Sequence, residues 1–235
     1  MYVLNHKVTT SRCDTRRKLK FYAAMQMMQD CSEMWLDSEP GVESYFQKEG
    51  MAQLLVFRQV DILRVPDFKE DLRTQTSVYE MKGKFGFRNT HIFDISGRPC
   101  YQSWSMGAFV NRATGVLTNI PQEVIDTMHL DEKSEMEYAD RHIRFDKTKL
   151  REGDLVSIER NDIDYNGHVN NAQYVRMAME LLPLSYEDFV RFRIEYKAPV
   201  KYGEQIRSFA MEWEGRYFIV LRSNDRDVCI MEFSR

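Results

Sequence analysis

Residues 19–36, LKFYAAMQMMQDCSEMWL, place Phe21, Ala24, Met28, Cys31 and Trp35 at steps of three, four, three and four, one face of a helix. The other faces are almost as apolar, and a helix of that kind is wrapped by other structure rather than laid on a surface. A second stretch at 169–182, VNNAQYVRMAMELL, repeats the arrangement with Val169, Ala172, Val175, Met179 and Leu182. Whatever fold this chain adopts must bury two helices.

The sequence after each helix supplies the wrapping. The first is followed by LLVFRQVDILRV, LRTQTSVYEMKGKFGFRNTHIFDI and YQSWSMGAFVNR, the second by FRIEYKAPV, EQIRSFAMEWEG, YFIVLRSN and DVCIMEF. These runs are rich in β-branched and aromatic residues, alternate in part, and are separated by turn signals such as Ser96-Gly97. The two halves correspond. Arg12-Cys13-Asp14 matches Arg160-Asn161-Asp162 ahead of the helix, and Val65-Pro66 with Asp71 matches Ala198-Pro199 with Glu204. The offset falls between those marks, from 148 to 133, which a longer loop around SEPGVESYFQKEG accounts for. A shared order of strand, helix and strands points to a duplication. The expected fold class is α+β, a double hotdog of two repeats, each with a long central helix wrapped by an antiparallel β-sheet. The repeats are expected at 1–130 and 149–235, joined by a linker at 131–148 rich in Asp, Glu and Lys.

Charge and cysteine content remove several functions. Lys and Arg number 33 against 36 Asp and Glu, so nothing in the net charge of −3 points to nucleic acid. Cys13, Cys31, Cys100 and Cys229 are scattered and form no metal-ligand spacing, so free thiols in a reducing compartment and no metal site are expected. The opening MYVLNHKVTT lacks a basic segment followed by an apolar one, and no window approaches eighteen apolar residues, so a cytoplasmic protein without membrane insertion is expected.

One stretch is chemically dense. Residues 161–174, NDIDYNGHVNNAQY, crowd acids, amides and a histidine immediately before the second buried helix. A helix start offers unpaired N–H groups and the positive end of the dipole, suited to an oxyanion. The turn through Gly167 brings the chain to that point. Asp164, Asn166 and His168 are spaced by two, so an extended approach would turn all three to one side. Aspartate supplies a base or nucleophile, asparagine amide hydrogen bonds, and histidine a proton near neutral pH. Asn170 and Asn171 are read as helix caps.

This motif, IDYNGHVNNAQYV, closely resembles the carboxy-terminal motif of acyl-acyl carrier protein thioesterases. The phrases VFRQVDILRVPDFKEDLRTQT and FGFRNTHIFDISGRP resemble strands of that family's amino-terminal repeat. The resemblance covers nearly the whole chain. It implies catalytic duty for Asp164, Asn166 and His168, substrate contacts around Gly167, Val169 and Asn170, no cofactor, and release of fatty acid from an acyl carrier protein in fatty acid biosynthesis. In plant members a Glu-Cys pair follows a Glu-Tyr-basic segment. Here that segment is Glu195-Tyr196-Lys197 and the aligned pair is Pro199-Val200, whose side chains move no proton. The main burden therefore falls on Asp164, with Glu195 a distant support.

In the first half, Arg16, Lys18 and Lys20 are expected in the places of Asp164, Asn166 and His168, leaving one active site per chain. With Arg12 and Arg17 they form a cationic cluster ahead of the first helix, against the sign of its dipole. The carrier-protein reading gives Arg16, Arg17, Lys18 and Lys20 a docking role by charge steering, although a solvated basic turn accounts for them equally well. Met25, Met27, Met28, Met34 and Trp35 are expected to line a path for the acyl chain or simply to pack the core. Three other readings stay open. They are an acyl-coenzyme A thioesterase, a non-catalytic acyl-binding sensor, and, more weakly, a dehydratase. Exposed sheet edges leave a homodimer open as well.

Overall fold

The computed structural model describes residues 1–182 and 188–235. These divide into two compact units, Met1–Arg58 with Leu63–Tyr138, and Gln59–Ile62 with Ala139–Arg235.

The first unit opens with β1 (Tyr2–Lys7), then α1 (Phe21–Met34) and α2 (Pro40–Glu49). Strands β2 (Met51–Ile62), β3 (Asp71–Lys82), β4 (Phe85–Asp94) and β5 (Pro99–Asn111) follow, with the single turn α3 (Gln122–Ile125) after them. The strand order is β1-β3-β4-β5-β2, the last residues of β2 counting to the second unit. The expected apolar face of α1 is buried throughout, with Phe21, Ala24, Met28, Cys31 and Trp35 at most 2% exposed. Met25 and Met27 on other faces are buried too, as an all-round apolar helix requires.

Beneath α1 runs a polar seam. The Ser32 hydroxyl donates to the Met28 carbonyl at 2.7 Å and meets Thr90 Oγ1 at 3.2 Å, which in turn meets Thr76 Oγ1 at 2.9 Å. Arg88 lies over the Trp35 ring at 4.8 Å and donates to the Ser32 carbonyl, so a guanidinium caps the end of the helix where the dipole is negative. Burial, then the neighbouring Arg58, pushes the Arg88 pKa down to about 10.

The loop expected around SEPGVESYFQKEG is in fact helix α2. Pro40 starts it, and Gly50, at φ 61°, ends it in the left-handed conformation. Val42 and Phe46, one turn apart, bury against Met51, Phe109 and Ile120, which outweighs the turn-forming composition.

The second unit holds β6 (Arg151–Val156), α4 (Asn171–Met179), β7 (Arg191–Tyr196), β8 (Ile206–Trp213), β9 (Arg216–Ser223) and β10 (Arg226–Ser234), in the strand order β7-β10-β9-β8-β6. Both two-residue turns of its meander, Glu214-Gly215 and Asn224-Asp225, have positive φ at both positions, matching the twist of the strands they join. Helix α4 ends before Leu182, and the Tyr196 hydroxyl ties its first residue down by donating to the Asn171 carbonyl at 3.2 Å. Each unit is thus a helix against an antiparallel sheet, the hotdog arrangement.

Residues 131–148, expected as a linker, pack on both units in turn. Asp131 N–H donates to the Val78 carbonyl at 2.9 Å in the first unit. In the second, Ile143 buries among Met211, Phe218, Val220 and Ile230, and its N–H donates to Glu195 Oε1 at 2.7 Å. The first-unit part is pinned by a network. Asn89 Nδ2 donates to the Tyr138 hydroxyl at 3.0 Å, and that hydroxyl donates to the Ser134 carbonyl at 2.9 Å. His91 Nδ1 accepts from Ser103 N–H at 3.4 Å, so Nε2 carries the proton and donates to Ser134 Oγ at 2.8 Å. That tautomer leaves the serine without a base, and the pair is a clasp.

Burial lowers the His91 pKa from 6.5 to about 4. The unfolded chain therefore takes up this proton first as pH falls. Stability from the neutral ring is complete above pH 6.5 and drains away toward pH 4, by about 3 kcal/mol in all. Urea unfolding of the native protein and of His91→Gln at pH 7 and pH 4.5 measures it. The expected result is a smaller acid-induced loss in the variant.

Candidate active site

The polar motif is a hairpin, where an extended approach was expected. Ile163 and Val169 form an antiparallel bridge, and Asp164 N–H donates to the His168 carbonyl at 2.8 Å. Gly167 N–H returns to the Asp164 carbonyl at 3.0 Å, and Gly167 has φ 77°. This is a tight turn followed by a left-handed residue, the common three-residue hairpin loop, and Asn-Gly is suited to it. The spacing-by-two argument therefore does not hold. Asp164 and His168 become neighbours because they oppose one another across the hairpin, which puts side chains on the same face. Asn166 sits exposed at the tip.

The Asp164 carboxylate is oriented from within the turn, since its Oδ1 accepts Asn166 N–H at 2.8 Å. Val169, 4% exposed, anchors the hairpin and donates its N–H to the Val200 carbonyl at 2.8 Å. Asn170 is the cap of α4, its side chain accepting Ala172 N–H at 2.9 Å. Val200, one of the two residues aligned with the Glu-Cys pair, thus lies beside the hairpin and contributes its backbone. Glu195 is 7% exposed, held by Lys197 Nζ at 2.6 Å as well as by Ile143 N–H.

Asp162 is a residue the motif reading passed over. It is 3% exposed. Its Oδ2 accepts Glu159 N–H at 2.8 Å, its Oδ1 pairs with Arg176 Nη2 at 2.8 Å, and its carbonyl accepts Asn170 N–H at 2.8 Å. One side chain thus fixes the entry to the hairpin, and through Arg176 the second turn of α4. Glu159 and Asp162 form a capping box, and that spacing was the available signal.

The first half contains the same hairpin in a register that corrects the expected one. Cys13 bridges Leu19, Asp14 N–H donates to the Lys18 carbonyl at 2.9 Å, and Lys20 N–H to that of Arg12 at 2.8 Å. Asp14 therefore matches Asp164, Arg16 matches Asn166 and Lys18 matches His168, displacing the expected match of Arg16, Lys18 and Lys20. Downstream, Leu19 N–H donates to the Pro66 carbonyl as Val169 N–H does to Val200, so Glu70, rather than Asp71, matches Glu204. The first hairpin has a carboxylate after all, with a lysine in the histidine's place. Arg16 Nε pairs with Asp14 at 3.2 Å, Lys18 with Asp67 at 2.8 Å, and Lys20 Nζ donates to the Ser11 carbonyl at 3.3 Å, so these three cations are already engaged. Met28 and Trp35 are buried in the core of the first unit above the polar seam.

Two family models match the chain, the acyl-ACP thioesterase N-terminal domain over residues 1–128 and the C-terminal domain over residues 145–228. The chain belongs to the acyl-ACP thioesterase family. A chloroplastic acyl-[acyl-carrier-protein] hydrolase of Cuphea viscosissima is 27% identical over 164 residues, 64% of this chain and 39% of that protein. The chain thus matches well under half the length of that plant relative. Among solved structures, an acyl-ACP thioesterase from Bacteroides thetaiotaomicron superposes with a TM-score of 0.87 at 19% identity, covering 99% of this chain and 96% of the other. A 12:0-ACP thioesterase from Umbellularia californica gives 0.83 at 17% identity, covering 99% and 96%. These superpositions establish the double-hotdog fold. Among the described residues no group of His, Cys, Asp and Glu is placed to hold a metal ion, and no helix is long and apolar enough to cross a membrane.

Asp162→Ala leaves Glu159 N–H without its partner and Arg176 with Gln173 alone among the described residues. Because Arg176 is 38% exposed and rehydrates, the expected cost is about 2 kcal/mol rather than that of a fully buried pair. Thermal unfolding of the variant reads it, and an unchanged midpoint would remove Asp162 from this role.

Proposed function

We propose that this protein hydrolyses the thioester of a fatty acyl-acyl carrier protein to free fatty acid and holo carrier protein, in fatty acid biosynthesis. The observation behind the reading is the Asp164–His168 hairpin closing directly onto the N-terminus of α4. Family membership supports it, as does the hydrolase named in the Cuphea relative. A thioester carbonyl set at this helix start meets the positive dipole end as charge develops on its oxygen, the Ala172 N–H there being already capped by Asn170. Asp164, turned by the Asn166 N–H, takes the proton of the attacking water, or attacks the carbonyl itself to form an acyl anhydride that water then hydrolyses to free fatty acid and the regenerated carboxylate. On either route the carbon–sulfur bond breaks, and the leaving thiolate takes a proton, for which His168 is the cross-hairpin donor. Asn166, at the tip, holds water or substrate through its amide. Gly167 permits the turn, and Val169 and Asn170 place it against substrate.

With Pro199-Val200 in place of a Glu-Cys pair, no second carboxylate or thiol enters from that strand end. The first half, with Lys18 in the histidine's position, contributes binding rather than a second reaction centre. We place the protein in the cytoplasm, with a homodimer joined through exposed sheet edges as the alternative to a single chain. Sedimentation decides between the last two.

Release of fatty acid from matched acyl-carrier-protein and acyl-coenzyme A series tests the reading. Asp164→Ala is expected to lower kcat by about 10²–10⁴-fold with the fold intact. Preference for the coenzyme A series would reassign the substrate, and acyl binding without turnover would make the protein a sensor. Single turnover in ¹⁸O-water separates the two parts open to Asp164, since label enters the carboxylate only if it is the nucleophile.

A further inference from the structure

Superposing the two halves by their hydrogen bonds pairs Arg17 with Gly167 and, after the strand, Asp67, Phe68, Lys69 and Glu70 with Lys201, Tyr202, Gly203 and Glu204. The second turn repeats closely. Asp67 N–H donates to Glu70 Oε2 and Lys201 N–H to Glu204 Oε1, both at 2.9 Å. Gly167 and Gly203 have φ of 77° and 88°, and the residues in their places have the same conformation, Arg17 at 66° and Lys69 at 74°. A side chain there strains the backbone and adds nothing to the turn. At both strained positions of the first half the residue is a cation.

Both cations gather on one ring. The Arg17 guanidinium lies 5.0 Å and the Lys69 ammonium 5.6 Å from the centroid of Phe68. Phe68 N–H donates to the Arg17 carbonyl at 2.8 Å, which locks the two turns together. Arg17 and Lys69 are exposed, and among the described residues neither is ion-paired, in contrast to Arg16 and Lys18 beside them. Two like charges held on one aromatic ring, at a cost in backbone strain, form a preorganised anion-binding surface.

We propose that Arg17 and Lys69, mounted on Phe68, form a docking surface for an acidic protein partner, which on the function proposed above is the carrier protein. The inference rests on that reading for the partner's name and on the strained cation pair for its place. It moves docking from Arg16, Lys18 and Lys20, which are already engaged, to the two cations held free. The pairing is electrostatic and exposed, so it acts on encounter and weakens with salt.

The test is the double substitution Arg17→Gly and Lys69→Gly, which restores the residues of the second half. It relieves strain, so the melting temperature should hold or rise. KM for acyl carrier protein should rise about tenfold with kcat unchanged, and its salt dependence should flatten. KM for the same acyl group on N-acetylcysteamine, which lacks the acidic protein, should not move. An unchanged KM for the carrier-protein substrate overturns the proposal. If the native protein hydrolyses neither substrate, the function proposed above fails. Binding of holo carrier protein at low salt then decides the surface, with loss in the variant supporting it and equal binding overturning it.

Discussion

In each half, one backbone hydrogen bond decides where the helix begins. Leu19 N–H reaches the carbonyl of Pro66, and Val169 N–H reaches that of Val200, both at 2.8 Å. Each bond ties the last residue of a hairpin to the turn between two strands, so hairpin, helix start and turn become one rigid body. The functional hairpin draws its precision from this tie, because a loop attached only to its own helix would pivot about the cap. Val200, fully buried, supplies that carbonyl in the second half as Pro66 does in the first.

The helices were legible because burial imposes a period that survives any detail of the surroundings. Phe21, Ala24, Met28, Cys31 and Trp35 needed only to be apolar and correctly spaced. The Asn170 cap was legible for a local reason, since a short polar side chain satisfies nearby backbone. Helix α2 was obscured because Pro40, Gly41 and Gly50 also write turns. Only the burial of Val42 and Phe46 against residues far along the chain makes it a helix.

The register of the duplication was misread for a more instructive reason. Glycine is the residue that marks a left-handed position, and the first half has Arg17 and Lys69 where the second has Gly167 and Gly203. With the landmarks replaced, matching by residue type slid the alignment by two at the hairpin and by one at the later turn. The Asp162–Arg176 pair was hidden differently, because it joins residues on either side of a hairpin whose closure was not foreseen. A local pattern can suggest the capping box, but not the guanidinium that completes it.

The topology has a consequence for how the chain is made. In each unit three consecutive strands, β3-β4-β5 and β8-β9-β10, pair across short connections such as Gly83-Lys84 and Glu214-Gly215, where closing the loop costs little entropy. The strand that leads each unit finds its partner far downstream, as Tyr2 opposite Thr76 and Arg151 opposite Ala210 show. Strand β1 therefore leaves the ribosome long before anything exists for it to pair with, and waits as an open edge. Synthesis runs in one direction along the chain, whereas the local pairings of each unit lie in the middle of its strand order.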